Sequence, residues 1–465
     1  MASAPNTTLP ERIAERVGEP PRFVSGSIRR HILVMTATGA FGLMAIFSGD
    51  LINMLFLGRL GDTAILAAVG YAASLLFFSI SIGIGLSIAA IAVVAPAVGA
   101  GRRLEALRLA TSALVLTAVL TGLMAVLVWP FLPGLLTLIG ASGRTHELAL
   151  GYLRIVYPSF PLLALGMAAS ALLRAVGDAS RAMHVTLSGA CINVILDPIF
   201  IFALALGIDG AAWASLLARL IMAGVGIVPL VRVHDLLQRP ALDDVTGDAS
   251  RLFAVAGPAV LTNLATPAAN AFVTAALASH GDAAVAAWSV YGRVNPVAFG
   301  AVFALTGSIG PIVGQNFGAG DFVRVRSTVT EAARATVIFT AVAWLGLALS
   351  PAVIVRAFGL DQEAAGLVYL FCWWLPPLFV FLGFLFIANA VFNTLRHPHY
   401  ATLFNWGRAT LGTLPFVIVG GWLAGASGVF VASLAGSIVF GAAALWTCYR
   451  LIDRLAAKAR ASGAA

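Results

Sequence analysis

Two aspartates lie deep inside apolar stretches of this 465-residue sequence, where a carboxylate could bind a cation. Asp197 belongs to the stretch NVILDPIF and is followed at once by Pro198, and Asp50 belongs to SGDLINM. An ionised side chain near the middle of a bilayer costs at least about 2.5–3.5 kcal/mol, so such residues usually serve a function. No other carboxylate of the sequence falls inside a predicted helix and away from its ends.

Helical spacing places further oxygen atoms beside both aspartates. Asn193 precedes Asp197 by one helical turn, and Asn53 follows Asp50 by about one turn. At a rise of about 1.5 Å per residue, both aspartates lie roughly 12–15 Å below the same membrane surface, and Ser215 on the next helix lies near that level. We therefore predict a cation-coupling site that consists of Asp50, Asn193, Asp197 and Ser215.

The residue types of this site suit two ions. Two neighbouring carboxylates repel each other, and a bound H+ or Na+ relieves that repulsion. Pro198 lacks a backbone N–H and so frees the carbonyl of Val194, and carbonyls at helix breaks can coordinate a cation. Na+ would be held by Asp50, Asn193 and Asp197, whereas H+ needs only a carboxylate, and no other cofactor is expected. The alternative is structural, with each aspartate bonded to Asn or Ser to hold the helices together.

Membrane-spanning helices must position these residues. The chain is 60% hydrophobic and 10% charged, whereas soluble domains carry about 25% charged residues. Apolar stretches of about 20 residues, long enough to cross a bilayer core of about 30 Å, recur along the sequence. The net charge of +8 comes from arginines in short loops, which argues against a nucleic-acid partner. The single lysine, Lys458, follows alanine, so no phosphate-binding loop is present and no enzyme is predicted.

The hydrophobic pattern predicts an all-α fold of twelve transmembrane helices. Strands of a membrane barrel would be about ten residues long and would alternate in polarity, which these stretches do not. The predicted helices span residues 32–57, 64–95, 106–133, 147–172, 183–206, 210–232, 251–278, 284–315, 325–357, 364–393, 400–423 and 427–450.

The two halves of the sequence resemble each other. APAVGAGRRLEALR matches GQNFGAGDFVRVR, so that Gly101 corresponds to Gly320, and GIDGAAWASL matches GASGVFVASL at nearly the same offset. A third match relates the surroundings of Arg174 and Arg396. The repeat predicts two pseudo-symmetric six-helix bundles with a substrate path between them. The predicted parts are a tail at 1–31, an N-lobe at 32–232, a linker at 233–250, a C-lobe at 251–450 and a tail at 451–465.

Arginines predict the orientation, because loops on the cytoplasmic side are enriched in positive charge. The termini and every second loop hold most of the arginines, whereas the opposite side holds only Arg59, Arg144 and Arg356. Both termini are therefore predicted to be cytoplasmic, in the inner membrane of a bacterium.

Further polar residues fall within predicted helices. A substrate cavity or hydrogen bonds between helices would account equally well for the asparagines, and Arg293 could face the central cavity. For all four intramembrane arginines, a structural role is favoured. The predicted cavity residues are Asn53, Asn263, Asn270, Arg293, Asn389 and Asn393, and the other intramembrane arginines are Arg154, Arg219 and Arg408.

At SGDLINMLFLGRLGD, LLRAVGD, NVILDPIFIF and GIDGAAWASL the sequence resembles the multidrug and toxic compound extrusion (MATE) family. The resemblance implies a V-shaped pair of six-helix lobes and antiport of organic cations against Na+ or H+. It also implies an N-lobe ion site at Asp50, Asn193 and Asp197, with Ser215 where well-known members have threonine. Predicted helices 7 and 10 lack the acids used by one large branch, so the sequence looks more like the DinF-like branch.

These observations lead to one expected function and two alternatives. The expectation is a monomeric secondary active multidrug efflux transporter, which exports organic cations or amphipathic compounds and whose partners are small-molecule substrates and the lipid bilayer. One alternative is a lipid-linked oligosaccharide flippase, which needs several central arginines of which Arg293 is one candidate. The other, an intramembrane enzyme or channel, lacks a visible catalytic set and fits the repeat poorly.

Overall fold

The computed structural model describes residues 21–462, and every regular element in that range is a helix. Most of the predicted N-terminal tail, residues 1–20, and the last three residues of the predicted C-terminal tail lie outside the described residues. Within the described residues, the first helix begins at Ile28 and the last one continues to Ala461. The inner parts of both predicted tails are therefore helical.

Six helices form the N-lobe. They are α1 (Ile28–Gly58), α2 (Thr63–Gly99), α3 (Arg103–Leu138), α4 (Gly143–Ala175), α5 (Ala179–Ala203) and α6 (Gly207–Arg232). A 3-10 turn interrupts α3 at Trp129–Phe131 and another interrupts α4 at Tyr157–Ser159. Both turns contain proline near their first residue, which removes a backbone donor and breaks the regular helix.

Six further helices form the C-lobe, and several of them are broken. They are α7 (Leu242–Ala278), α8 (Asp282–Ala298 and Gly300–Gly318), α9 (Phe322–Leu349, followed by the short helix Pro351–Phe358), α10 (Gln362–Trp374 and Pro376–Thr394), α11 (residues 398–423) and α12 (residues 426–461). The two segments of α8 meet at 52° at Phe299, three residues after Pro296.

The number of membrane crossings depends on how these breaks are treated. Within residues 21–462, ten helices are long and apolar enough to cross a membrane, and the bent pair of α8 adds an eleventh. One of the ten, Pro398–Ala461, is 64 residues long and leaves helical dihedral angles at Ala424 and Gly425. The close approach of Gly420 to the Gly428 backbone indicates that its two arms fold back on each other. They are the predicted eleventh and twelfth helices.

Aspartates in the loops begin several of these helices. The side chains of Asp62, Asp321 and Asp361 each accept a hydrogen bond from a backbone N–H of the first helical turn. Such caps satisfy donors that have no partner within the helix. The loop carboxylates that the sequence places outside the membrane therefore serve a local structural purpose.

Asp178 caps α5 and also joins two segments of the N-lobe. It accepts hydrogen bonds from the backbone N–H and the guanidinium of Arg181, and His234 at the end of α6 lies 2.8 Å from the same carboxylate. Burial alone raises the pKa of Asp178, but the hydrogen bonds from His234 and Arg181 outweigh it and hold that pKa well below its usual range.

The segment predicted as a linker is partly helical. Helix α7 begins at Leu242, so only residues 233–241 connect the lobes without regular helix. Asp248 is buried, accepts a hydrogen bond from Ser112 at 3.0 Å and pairs with Arg108 at 3.2 Å, both on α3. This buried anchor on the N-lobe stabilises the first turns of α7, which the acidic sequence alone did not indicate.

The repeat is visible in the contact between α2 and α8. A Cβ added at Gly99 would overlap the Gln315 carbonyl, and a Cβ added at Gly318 would overlap the Pro96 carbonyl. Gly99 corresponds to Gly318 and Pro96 to Gln315 at the offset that relates Gly101 to Gly320. Each lobe therefore presents the same surface to the other, as a pseudo-twofold axis requires.

The lobes meet at the end of the bundle that carries both termini. There Gln315 of α8 accepts a hydrogen bond from the Phe23 backbone and donates one to the Ala175 carbonyl, and Arg29 pairs with Glu331 of α9 at 2.7 Å. Farther along, Gly39 of α1 still packs against α8. The predicted ion site lies beyond these contacts, in the opposite half of the N-lobe.

Candidate functional site

Asp197 of α5 is hydrogen-bonded to α1. Asn53 donates its Nδ2–H to Asp197 Oδ2 at 2.7 Å, and Asp197 is fully buried. The two helices approach closely because Gly42 and Gly49 of α1 face α5, where Gly42 lies against Thr186. Asn53 was predicted from the sequence to line the substrate cavity. The structure shows that it is the hydrogen-bond partner of Asp197.

Two oxygen atoms beside this hydrogen bond have no partner. Asp197 Oδ1 and Asn193 Oδ1 are both buried and accept no hydrogen bond from the described residues. The two side chains lie one turn apart on α5. Buried polar atoms are rarely left unpaired, and an unpaired one calls for an explanation such as a bound ion or a functional proton.

The end of α5 is irregular directly after Asp197. Pro198 closes the α-helical part, and Ile199–Ala203 form one π-helical turn. The carbonyl of Val194 would normally accept a hydrogen bond from the N–H of residue 198, but Pro198 has no N–H. The next N–H, that of Ile199, bonds to the Leu196 carbonyl. Single π turns are frequent at functional sites in helices.

A polar group formed by α4 and α6 lies beside this site. Ser215 of α6 interacts with the Tyr152 hydroxyl of α4. The charges of Asp197 and Asp50 also act on this hydroxyl, so all four side chains are near one another. One turn after Ser215, Arg219 donates hydrogen bonds to the Val156 carbonyl and to Ser159 Oγ, both at 3.0 Å. Tyr152 was missed by sequence reasoning, because nothing in the spacing along α4 relates it to α5 or α6.

Asp50 is placed differently from Asp197. It is exposed, and its carboxylate makes no hydrogen bond or ion pair with any residue between 21 and 462. Asn53, about one turn further along α1, holds the position next to Asp197. The structure therefore brings Asn193 and Asp197 together with Asn53, and leaves Asp50 on a neighbouring face of α1.

The polar residues predicted to line a cavity in the C-lobe differ in their surroundings. Asn389 accepts a hydrogen bond from Asn405 at 2.9 Å, and Asn263 donates to a carbonyl of its own helix. Asn393 is buried with an unpaired Oδ1, whereas Asn270 and Arg293 are exposed. Of these two hydrogen bonds, the one between Asn405 and Asn389 joins two helices, α11 and α10, whereas that of Asn263 stays within α7.

Among the other arginines inside helices, Arg154 is exposed and Arg408 is buried. Arg408 of α11 donates a hydrogen bond to Thr266 of α7 at 3.1 Å.

The donor set around Asp197 fits a monovalent cation or a proton. The part of the chain that is described holds no group of three His, Cys, Asp or Glu side chains that could bind a transition metal. A cation here would use the unpaired oxygens of Asp197 and Asn193, with a backbone carbonyl near Pro198. Oxygen-only ligands of this kind suit hard cations.

Comparisons with known proteins agree on one family. The MatE family model matches residues 40–199 and 258–419. A FAD transporter of Shewanella oneidensis is 30% identical over 95% of this chain and 98% of its own length. The multidrug export protein MepA of Staphylococcus haemolyticus is 22% identical over 89% of this chain and 91% of its own.

Solved structures agree with that family. The Vibrio cholerae MATE transporter VcmN in the bent form is 29% identical and superposes with a TM-score of 0.86 over 92% of this chain and 98% of its own. An outward-facing multidrug resistance MATE transporter shares the fold, with a TM-score of 0.88 at 20% identity over 94% of this chain and 98% of its own. Members of this family are multi-pass membrane transporters, not enzymes, and bind small-molecule substrates within the bilayer. The chain belongs to the MATE family.

Proposed function

We propose that this chain is a proton-coupled exporter of small amphipathic organic compounds, with Asp197 as the proton-carrying residue. The pair of unpaired buried oxygens on Asp197 and Asn193 carries this proposal. A proton on Asp197 Oδ1 turns that atom into a donor, and Asn193 Oδ1, one turn away, is an acceptor without a partner. One proton can therefore satisfy both atoms and remove a buried charge.

Na+ coupling is the alternative that the sequence left open. The predicted Na+ set of Asp50, Asn193 and Asp197 requires Asp50 to approach Asp197, where Asn53 now donates its hydrogen bond. Na+ binding would therefore require α1 to change its position relative to α5. The proton needs no such change, which is why we favour it.

The range of exported compounds has two candidates. Multidrug export, including organic cations, is supported by the similarity to MepA over most of both chains. Export of a flavin nucleotide is favoured by the 30% identity to a FAD transporter across nearly the full length of both proteins. A lipid-linked oligosaccharide flippase has less support, because it needs several central arginines and Arg219 is bonded to α4, which leaves Arg293 and Arg408.

We also propose a placement and a subfamily. Arginine-rich loops at one end support cytoplasmic termini in a bacterial inner membrane. The DinF-like branch is supported by asparagines, rather than acids, at the C-lobe positions Asn263, Asn389 and Asn393. The chain would act as a monomer, because each molecule contains both lobes and the path between them.

Vesicle transport with separately imposed gradients tests the proposed function. Purified protein is reconstituted, the membrane potential is clamped, and efflux of ethidium or FAD is followed under a pH gradient alone and under a Na+ gradient alone. We expect the pH gradient to drive transport and the Na+ gradient to have no effect. Transport driven only by Na+ would show that the coupling ion is wrong, and transport driven by neither would contradict coupled export of both compounds.

A further inference from the structure

A buried arginine in the C-lobe has no counter-ion. Arg408 of α11 is 7% exposed, its Nη2 donates to Thr266 Oγ1, and its buried Nε–H has no acceptor. No carboxylate of residues 21–462 forms an ion pair with it. A buried charge without a partner is strongly unfavourable, so a separate reason is needed for its position.

Arg408 bonds to a helix whose one face is turned toward the N-lobe, where the sequence predicts the substrate path. On α7, Ala256 and Val260 pack against Gly85 of α2, so this stripe of α7 faces the N-lobe. The stripe continues along the helix through Asn263 and Asn270. Thr266 flanks this stripe and is exposed, and it is the residue to which the Arg408 guanidinium bonds. The guanidinium therefore lies next to an exposed residue beside the face of α7 that is turned toward the N-lobe.

The surroundings of Arg408 are polar and aromatic but carry no negative charge. Tyr291 of α8 interacts electrostatically with Arg408 and stacks on Trp288 at 4.6 Å between ring centroids. Arg293, two residues further along α8, is exposed and adds a second positive charge to this lobe. The carboxylates of the described C-lobe lie toward helix ends, so the positive charges are not compensated within the membrane.

We propose that Arg408 and Thr266 form a binding site for the phosphate or carboxylate group of the transported molecule. The proposal rests on the proposed function, because it assumes that substrate enters the path between the lobes. A guanidinium can bind carboxylate and phosphate oxygens through two parallel N–H bonds, and among the described residues Thr266 is the one acceptor recorded for the Arg408 guanidinium. An anionic substrate supplies the missing counter-ion, while Asp197 on the other lobe carries the proton.

Binding of two flavins to the purified protein tests this site without any gradient. FAD carries a pyrophosphate and riboflavin carries none, while both contain the same flavin ring. We expect Arg408→Gln to raise the Kd for FAD by about tenfold or more, corresponding to about 1.4 kcal/mol, and to change that for riboflavin less than twofold. Arg408→Lys should give an intermediate loss of affinity for FAD, because lysine retains the positive charge but lacks the two parallel N–H donors of the guanidinium. Arg154→Gln, which removes an exposed N-lobe arginine, is the matched control.

Inorganic pyrophosphate supplies the second arm. It should compete with FAD for the wild-type protein and should fail to compete in Arg408→Gln. Equal losses for both flavins, no loss for FAD, or a wild-type protein that binds neither FAD nor pyrophosphate would overturn the proposal. If the Arg408 variants do not fold, Thr266→Val should weaken FAD binding alone, and an unchanged Kd in that variant would also overturn it. Binding that depends on Arg408 would stand even if the vesicle experiments contradicted proton-driven export.

Discussion

Replacement of Asp197 by asparagine separates the role of its charge from the role of its shape. Asparagine has the same outline, its Oδ1 can still accept the hydrogen bond that Asn53 donates at 2.7 Å, and its Nδ2–H can donate to Asn193 Oδ1. Asp197→Asn therefore imitates the protonated carboxyl. The substitution removes the unfavourable burial of a charge, which amounts to about 2.5–3.5 kcal/mol. It also weakens a charged hydrogen bond that contributes about 1.5–3 kcal/mol. The two effects nearly cancel, so we expect a folded protein with a Tm close to that of the wild type.

The transport consequence follows from the number of protons carried. One unpaired carboxylate oxygen implies one proton per transported molecule. A pH difference of one unit supplies about 1.36 kcal/mol per proton, which corresponds to a concentration ratio of about tenfold for an uncharged substrate. The wild-type protein should reach that ratio in vesicles at zero membrane potential, and Asp197→Asn should only equalise the two concentrations.

The assay is accumulation at steady state, rather than initial rate, because a slower but coupled transporter would still reach about tenfold. Asp209→Asn, at an exposed carboxylate in the first turn of α6, should behave like the wild type. A tenfold ratio in Asp197→Asn would refute the assignment of the proton to Asp197. A ratio lost equally in Asp209→Asn would show that the effect is not specific.

Three further changes test contacts that hold the helices and the lobes together. Asn53→Leu should lower stability by about 1–3 kcal/mol, because Asp197 loses its buried hydrogen bond; an unchanged Tm in detergent would show that this bond does not stabilise the fold. Gly99→Val should separate the lobes at the terminal end, since even a Cβ overlaps the α8 backbone, and disulfide cross-linking of cysteines introduced at 29 and 331 should fall. Asp178→Asn should lower the Tm at pH 7, because a carboxylate whose pKa is depressed in the folded state contributes stability above its unfolded pKa of about 3.9. The difference from the wild type should shrink as the pH falls below that value, and a constant difference would point to a steric cause.

The twelve crossings and the two-lobe repeat were predictable because both depend on patterns within the sequence. Runs of apolar residues are set by the thickness of the bilayer, and the offset between Gly101 and Gly320 records the duplication directly. The structure confirmed this fold class. The start of α7 was not predictable, because it depends on Asp248 meeting α3, a contact between segments far apart in the chain.

The candidate site was predictable in part for the same reason. Asn193 and Asp197 share a helix, so spacing alone relates them, and their place in an ion site stays a prediction. Whether Asp50 or Asn53 faces α5 depends on how α1 is rotated, which Gly42 and Gly49 decide through close packing. The sequence favoured a structural role for Arg408, and that role stays a prediction; which groups surround Arg408 depends on how α7, α8 and α11 pack, which the sequence does not show.

Helix α1 links the proposed proton site to the contact between the lobes. At one end Asn53 donates to Asp197, and about 21 Å away along the helix Gly39 packs against Ala304 of α8. Protonation of the Asp197 carboxylate weakens the hydrogen bond from Asn53, because a neutral acceptor binds less strongly than a charged one. A proton can shift the lobes only if it binds their two arrangements with different affinity, and a hydrogen bond that joins α1 to α5 in this arrangement is one source of that difference. Asn53→Ala removes that source but keeps the Asp197 carboxylate, so the variant should still bind a proton, more readily than the wild type, and should sustain a smaller concentration ratio under a pH gradient. An unchanged ratio would place the coupling elsewhere than α1.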